Sequence, residues 1–210
     1  MIDVKEQINA VRRTLGSRVL EAGEARVLTI SQVYDTDIDD LWDVVSTADR
    51  IARWFLPVSG DLREGGHYQF EGNAGGTITR CDRPNSYAAT WEFGDTVSWI
   101  EVRLVPEGDD RTRFELEHVA HVGDEFAEKF GPGAVGIGWD GALYGLANHL
   151  ADRAAPKDPQ AVAAWMGSSE GHEFMRLSSD SWAEADIAAG TDPQRARRQA
   201  DESYAAYTAG

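Results

Sequence analysis

Cysteine is almost missing from this chain: Cys81 is the only one in 210 residues. A single thiol builds no disulfide framework and no paired-cysteine metal site, and it cannot supply the Cys-and-His set of an iron–sulfur domain. Its place in the strand-like run Thr77–Cys81 marks it as a small apolar side chain rather than a nucleophile. Long apolar runs are missing too, and Met1-Ile-Asp-Val-Lys-Glu has neither the basic nor the apolar region of a secretory signal. The expectation is a soluble, cytoplasmic protein. Basic side chains are scarce, 20 Lys and Arg against 36 Asp and Glu, for a formal net charge of -16. Such a chain repels phosphate backbones and anionic lipid surfaces, so neither nucleic acid nor membrane is an expected partner. The one basic cluster, Arg195, Arg197 and Arg198, reads as a helix face.

Catalytic and cofactor motifs are equally thin. The five histidines include no His-Glu-x-x-His, and His118 and His121, three apart on a strand, fall on opposite faces. His67, His149 and His172 have no ligand partner at a recognised spacing, so no metal and no cofactor are expected. The glycine runs at 65–66, 72–76 and 131–138 lack the Gly-Lys-Ser/Thr ending of a phosphate loop and the strand-then-helix setting of a dinucleotide site. Ser31 and Ser98 lie on strands without a nucleophile elbow, which argues against a Ser-His-Asp hydrolase.

What is present is a pattern of short strands closed by an apolar-striped helix. Val4, Ile8, Val11 and Leu15 recur at helical steps and predict an amphipathic helix over 3–15. A strand follows at about Ala25–Tyr34, then a helix carrying Ile38, Leu41, Trp42 and Val45 behind the N-cap candidates Asp35–Asp37. A short helical turn over Ala48–Trp54 stops before Pro57. Turn residues then separate strands bearing Tyr68 and Phe70, Thr77–Cys81, Tyr87–Phe93, Thr96–Val105 and Arg111–His121. Tight connections of this kind make an antiparallel meander. After a glycine-containing connection with an acidic start over 122–137, Trp139, Leu143, Leu146 and Leu150 stripe a helix over 138–152, with His149 beside the stripe. Gly141 and Gly145 in that helix suggest close packing. Beyond Pro156, Phe174, Leu177, Trp182, Ala185 and Ala189 make one stripe, and Thr191-Asp-Pro-Gln194 starts another helix. The tail is too poor in large apolar residues to fold alone and is expected to pack on the core or on another subunit.

The segments Arg50-Ile-Ala-Arg-Trp54-Phe-Leu-Pro57, Thr90-Trp91-Glu-Phe93, Thr112-Arg-Phe-Glu-Leu-Glu-His118 and Gly138-Trp139…Leu143…Leu146…His149-Leu150 resemble, in order and spacing, bacterial proteins related to the C-terminal domain of the activator of heat-shock protein 90 ATPase. That family lies within the START-related helix-grip superfamily (SRPBCC). The resemblance covers about 25–153 and implies an α+β helix-grip fold, in which a curved antiparallel sheet wraps around a long C-terminal helix. It implies a β-α-α-β-β-β-β-β-β-α core with a cavity between sheet and helix. The expected division is an N-terminal amphipathic helix at 1–22, the helix-grip domain at 23–153 and a helical extension at 154–210.

The expected ligand-binding set is Trp54, Phe70, Trp91, Phe93, Ile100, Val102, Phe114, Leu116, His118, Trp139, Leu143 and Leu146. The same rings would also make a filled core; the resemblance favours a pocket lined by large rings with few polar groups. His118, alternating with Phe114 and Leu116, points inward. There it either contacts a ligand, acts as an acid–base, or is simply buried and hydrogen-bonded. The leading expectation is a binder of a small hydrophobic molecule, with the 131–138 run as a gate at the cavity mouth. The rivals are a cyclase-, aromatase- or dehydratase-like enzyme using the same cavity, and a cochaperone-like interaction module, with a homodimer as a possible assembly.

Overall fold

Burial alternates along residues 99–105 and 112–116, and the strands over 86–121 pair as the middle of an eight-stranded antiparallel sheet. The computed structural model describes residues 1–21, 23–121, 125–155 and 157–209. In chain order the strands are β1 (Arg12–Leu20), β2 (Gly23–Tyr34), β3 (Val58–Gly60), β4 (His67–Phe70), β5 (Gly75–Asp82), β6 (Ser86–Phe93), β7 (Thr96–Pro106) and β8 (Thr112–His121). Their order across the sheet is β1-β2-β8-β7-β6-β5-β4-β3. The first strand of the helix-grip core, β2, therefore pairs with the last, β8, with Leu28 opposite His118 and Ile30 opposite Leu116. A bulge between Ile78 and Arg80 bends β5 against β6. On the far face, ion pairs link Arg80 to Glu101, Glu101 to Arg103 and Arg103 to Glu115 across three strands, as expected of the solvated half of an alternating pattern.

The helices are α1 (Val4–Ala10), α2 (Ile38–Ser46), α3 (Ala48–Ile51), α4 (Glu125–Phe130), α5 (Gly133–Ala151), α6 (Pro159–Met166), α7 (Ser169–Ala188) and α8 (Pro193–Thr208). Asp37 caps α2 by accepting from the Asp40 amide at 2.8 Å. The long helix α5 lies on the sheet: Trp139, Leu143 and Leu146 share one core with Ile30, Ile100, Val102 and Leu116. Its opposite side is also covered, since Ile137 and Tyr144 pack with Val4, Ile8, Phe174 and Met175. A helix buried on two sides needs apolar and small residues nearly all round, and its composition has that character.

Three expectations are corrected. The helix predicted over 3–15 ends at Ala10, and Arg12–Leu20 forms the edge strand β1, with Arg13 opposite Ile30 and Leu15 opposite Leu28. Val11 and Leu15 fit both periods, and pairing with β2 decides between them. The long helix begins at Gly133 rather than at 138, preceded by α4, so the expected β-α-α-β-β-β-β-β-β-α order holds with one helix inserted before the last. The 131–138 run is accordingly no gate. Gly133 and Gly136 lie against Ser203 and Trp182, beneath the two C-terminal helices. The acidic start of the connection at 122–124 and the proline at 156 lie outside the described residues. The C-terminal tail packs on the core of its own chain, with Trp182 fully buried among core residues.

Candidate functional site

The sheet and α5 do not close completely on each other. Between them lies a cavity of about 340 Å³. Its sheet wall is built from residues of one parity on successive strands: Tyr68 and Phe70 on β4, Tyr87, Ala89 and Trp91 on β6, Ile100 and Val102 on β7, Phe114 and Leu116 on β8. Trp139, Ala142 and Leu143 come from α5, Trp42 and Val45 from α2, and Ile51, Trp54 and Phe55 from α3 and the turn after it. The rim, where Asp43, Thr47, Cys81 and Arg83 gather, is the polar part. Arg83 and Asp43 form an exposed ion pair there at 3.3 Å.

Four rings close one end of the cavity. Phe55 meets Phe70 edge-on at 5.0 Å, Phe70 meets Trp91 at 5.7 Å, Trp91 meets Trp139 at 5.0 Å, and Trp139 stacks on Phe55 at 6.3 Å. Trp54 can approach α5 only because position 145 is glycine: a Cβ there would stand 2.3 Å from the Trp54 carbonyl oxygen.

Polar side-chain atoms on the wall are mostly turned into the protein. Trp54 Nε1 donates to the Val44 carbonyl at 3.0 Å, Tyr68 Oη to that of Thr90 at 2.6 Å, and Tyr87 Oη to that of Val45 at 3.3 Å. Burial pushes both phenols well above their ordinary pKa, so they stay protonated donors. Burial also raises the pKa of the Cys81 thiol, with Glu64 and Asp82 adding to the effect, which makes it a poor nucleophile at neutral pH.

Of the residues expected at the site, Trp54, Phe70, Trp91, Ile100, Val102, Phe114, Leu116, Trp139 and Leu143 line the cavity. Three do not. Phe93 is 60% exposed at the tip of the β6–β7 hairpin, where the sheet has run past the helix that would cover it. Leu146 is fully buried in the filled part of the core, one turn beyond Leu143. His118 is 5% exposed and stands behind Trp139. Its Nδ1 accepts from Trp139 Nε1 at 3.0 Å, and Nε2 lies 2.8 Å from Ser98 Oγ. The Ser98 hydroxyl in turn donates to the Trp91 carbonyl at 3.0 Å. These bonds set one tautomer, with Nδ1 bare and Nε2 protonated. Burial holds the pKa of this imidazole down at about 4. Both nitrogens are occupied, so His118 orients Trp139 and does not face a bound molecule.

Sequence reasoning missed Trp42, Phe55, Tyr68, Ile78, Tyr87 and Ala89. Parity marked Tyr68 beside Phe70, and Tyr87 and Ala89 beside Trp91. Phe55 sits in an irregular turn with no period to read. Among the described residues no group of three His, Cys, Asp or Glu is placed to hold a metal ion, and no helix is long and apolar enough to cross a membrane.

The model of the Activator of Hsp90 ATPase homolog 1-like protein family matches residues 35–151, more than half of the chain. The crystal structure of CalU16 from Micromonospora echinospora is 35% identical, covers 84% of this chain and 98% of its own, and superposes with a TM-score of 0.65. The solution structure of the same protein, again at 35% identity, covers 86% and 97% with a TM-score of 0.69. EF2215 from Enterococcus faecalis, 13% identical and covering 84% and 92% with a TM-score of 0.59, shares the fold. No curated protein matches the chain. A family match across the strands and helices that enclose the cavity, joined to a relative alike over nearly its whole length, makes this chain a member of the Activator of Hsp90 ATPase homolog 1-like family.

Proposed function

We propose that this protein binds a small, mostly apolar molecule in the cavity between the sheet and α5. The observation that carries the reading is a cavity of about 340 Å³ between sheet and helix, walled by core residues and open at the polar rim of Asp43, Thr47, Cys81 and Arg83. Interiors normally tolerate few voids larger than a water molecule, because each forfeits dispersion contacts. A chain that keeps one this size, walled by aromatic rings and with its polar side chains largely tied to backbone carbonyls, has the make-up of a ligand site. The void also weighs against a pure interaction module, whose core would be filled. An enzyme using His118 as acid–base gains no support, since that imidazole has no free nitrogen turned toward the cavity.

The test is a fluorescence titration with N-phenyl-1-naphthylamine, a neutral apolar probe. One molecule is expected to bind per chain with a blue-shifted emission. Ala142→Leu, which fills the void from the helix side while retaining the fold, should weaken binding at least tenfold. Stoichiometric binding unchanged in Ala142→Leu and in Ala89→Leu would show that the probe sits elsewhere, and would remove the proposal.

A further inference from the structure

The cavity's polar bookkeeping leaves a remainder. Two tryptophans on its wall, Trp42 and Trp91, have indole N–H groups that donate to no protein atom among the described residues. The other indole on that wall whose N–H turns to the backbone, Trp54, is bound to Val44. Trp139 is bound to His118. Neither Trp42 nor Trp91 is a sealed, orphaned donor, because both nitrogens keep contact with open space. Trp42 is only 5% exposed, and both side chains stand on the cavity wall. Each ring is held in place by aromatic neighbours, Trp42 edge-on to Tyr87 at 6.0 Å and Trp91 against Trp139 at 5.0 Å. An indole N–H is a donor and never an acceptor.

We infer that the cavity selects apolar molecules carrying hydrogen-bond acceptor oxygens, of the aryl ketone, quinone or ester class, which receive bonds from the indole N–H groups of Trp42 and Trp91. This rests on the proposed binding function and narrows its ligand. Beside the aromatic rings the wall offers the two indole donors, while the phenols of Tyr68 and Tyr87 already donate to carbonyls. A ligand donor finds side-chain acceptors only where Asp43, Ser46 and Thr47 line the cavity, on α2 and just after it, whereas a pure hydrocarbon leaves the two indoles unpaired. A ketone satisfies both sides.

The experiment compares 9-fluorenone with fluorene, two rigid tricycles of nearly the same shape that differ by one carbonyl. The ¹⁵N–¹H spectrum of the seven tryptophan indoles is recorded with each compound, and the Trp42 and Trp91 signals are assigned by their disappearance in Trp42→Phe and Trp91→Phe. Fluorenone is expected to move one or both of these proton signals downfield and to bind about 3- to 10-fold more tightly than fluorene, the range of one net hydrogen bond. The preference should shrink in Trp91→Phe while fluorene affinity holds. The wild-type spectra alone decide the matter if Trp42→Phe does not fold. Equal affinity for the two compounds, with no indole signal distinguishing them, overturns the acceptor inference and leaves the cavity reading standing. Failure of both compounds to bind, in a protein that also refuses N-phenyl-1-naphthylamine, removes the binding function and this inference with it.

Discussion

Two buried histidines separate the polar groups that this core satisfies from those it does not. His118 has a partner on each nitrogen, whereas both ring nitrogens of His149 are buried with no partner among the described residues. The His118 pKa stands near 4 in the folded protein against 6.5 ordinarily, because burial disfavours the imidazolium. As pH falls, the unfolded chain therefore takes up this proton before the folded one. Stability is unaffected by the residue above about pH 6.5 and is lost as pH drops toward 4, by about 3 kcal/mol at the acid end. His118→Leu should cost about 2 kcal/mol at pH 7 by stranding the Trp139 N–H. The gap between variant and wild type should then narrow as the pH falls to 4. Urea titrations at several pH values read both effects, and a gap independent of pH would refute the assignment. His149 predicts the opposite response. Burial lowers its pKa, and the charges of Arg50, Arg153 and Arg53 lower it further. With no hydrogen bond to lose, His149→Leu should leave the melting temperature unchanged or raise it; a loss above about 1 kcal/mol would show that the imidazole has a hydrogen-bond partner. Strand parity in the sequence placed His118 inward correctly. It had no means of separating a side chain on the cavity wall from one layer behind it, because both obey the same alternation.

At the scale of the element, α5 carries five glycines whose roles differ, and the sequence marks all of them alike. Close packing was the expectation for Gly141 and Gly145, and it holds for one. A Cβ at 145 would strike the Trp54 carbonyl oxygen at 2.3 Å, whereas nothing lies within 4 Å of one at 141. Gly141→Ala should thus stabilise the protein by about 0.5–1 kcal/mol through helix propensity alone. Gly145→Ala should destabilise it by more than about 1 kcal/mol and weaken N-phenyl-1-naphthylamine binding, by pushing the Trp54 wall away from the helix. Thermal melts of the two variants give the comparison, and matched shifts would contradict the geometry. The same scale shows where periodicity misleads. Spacings of four and three carried the first helix through Leu15, yet a free β2 edge recruits Arg12–Leu20 as a strand. That outcome depends on a partner some ten residues away, and a local pattern does not contain it.

For the whole molecule, the helix-grip order of strands and helices was readable from alternation and turn residues, while the docking of the C-terminal helices was not. They are held by a polar node with no sequence period. Asp140 on α5, 1% exposed, accepts two bonds from Arg13 on β1, at 2.7 and 3.0 Å. It also accepts from Ser178 Oγ at 2.5 Å and Trp182 Nε1 at 2.9 Å on α7. One carboxylate thereby joins the edge strand, the central helix and the extension, and Trp182 packs against Gly136, where a Cβ would come within 2.4 Å of the indole. A carboxylate so enclosed is tolerated because every lone pair is engaged, and removing it leaves the Arg13 guanidinium buried and unpaired. Asp140→Ala should accordingly cost about 3–5 kcal/mol. The whole chain should unfold in a single transition, because α7 and α8 bury Trp182, Ala196 and Ala200 only against the rest of the protein and each other. Calorimetry combined with tryptophan fluorescence provides the check. A separate low-temperature transition for residues 159–208 in the unmodified protein, with cavity binding retained above it, would mean that the extension is an appendage. Its absence, together with loss of N-phenyl-1-naphthylamine binding in Asp140→Ala at the temperature where the helices melt, would place the extension among the elements that keep the cavity walls in position.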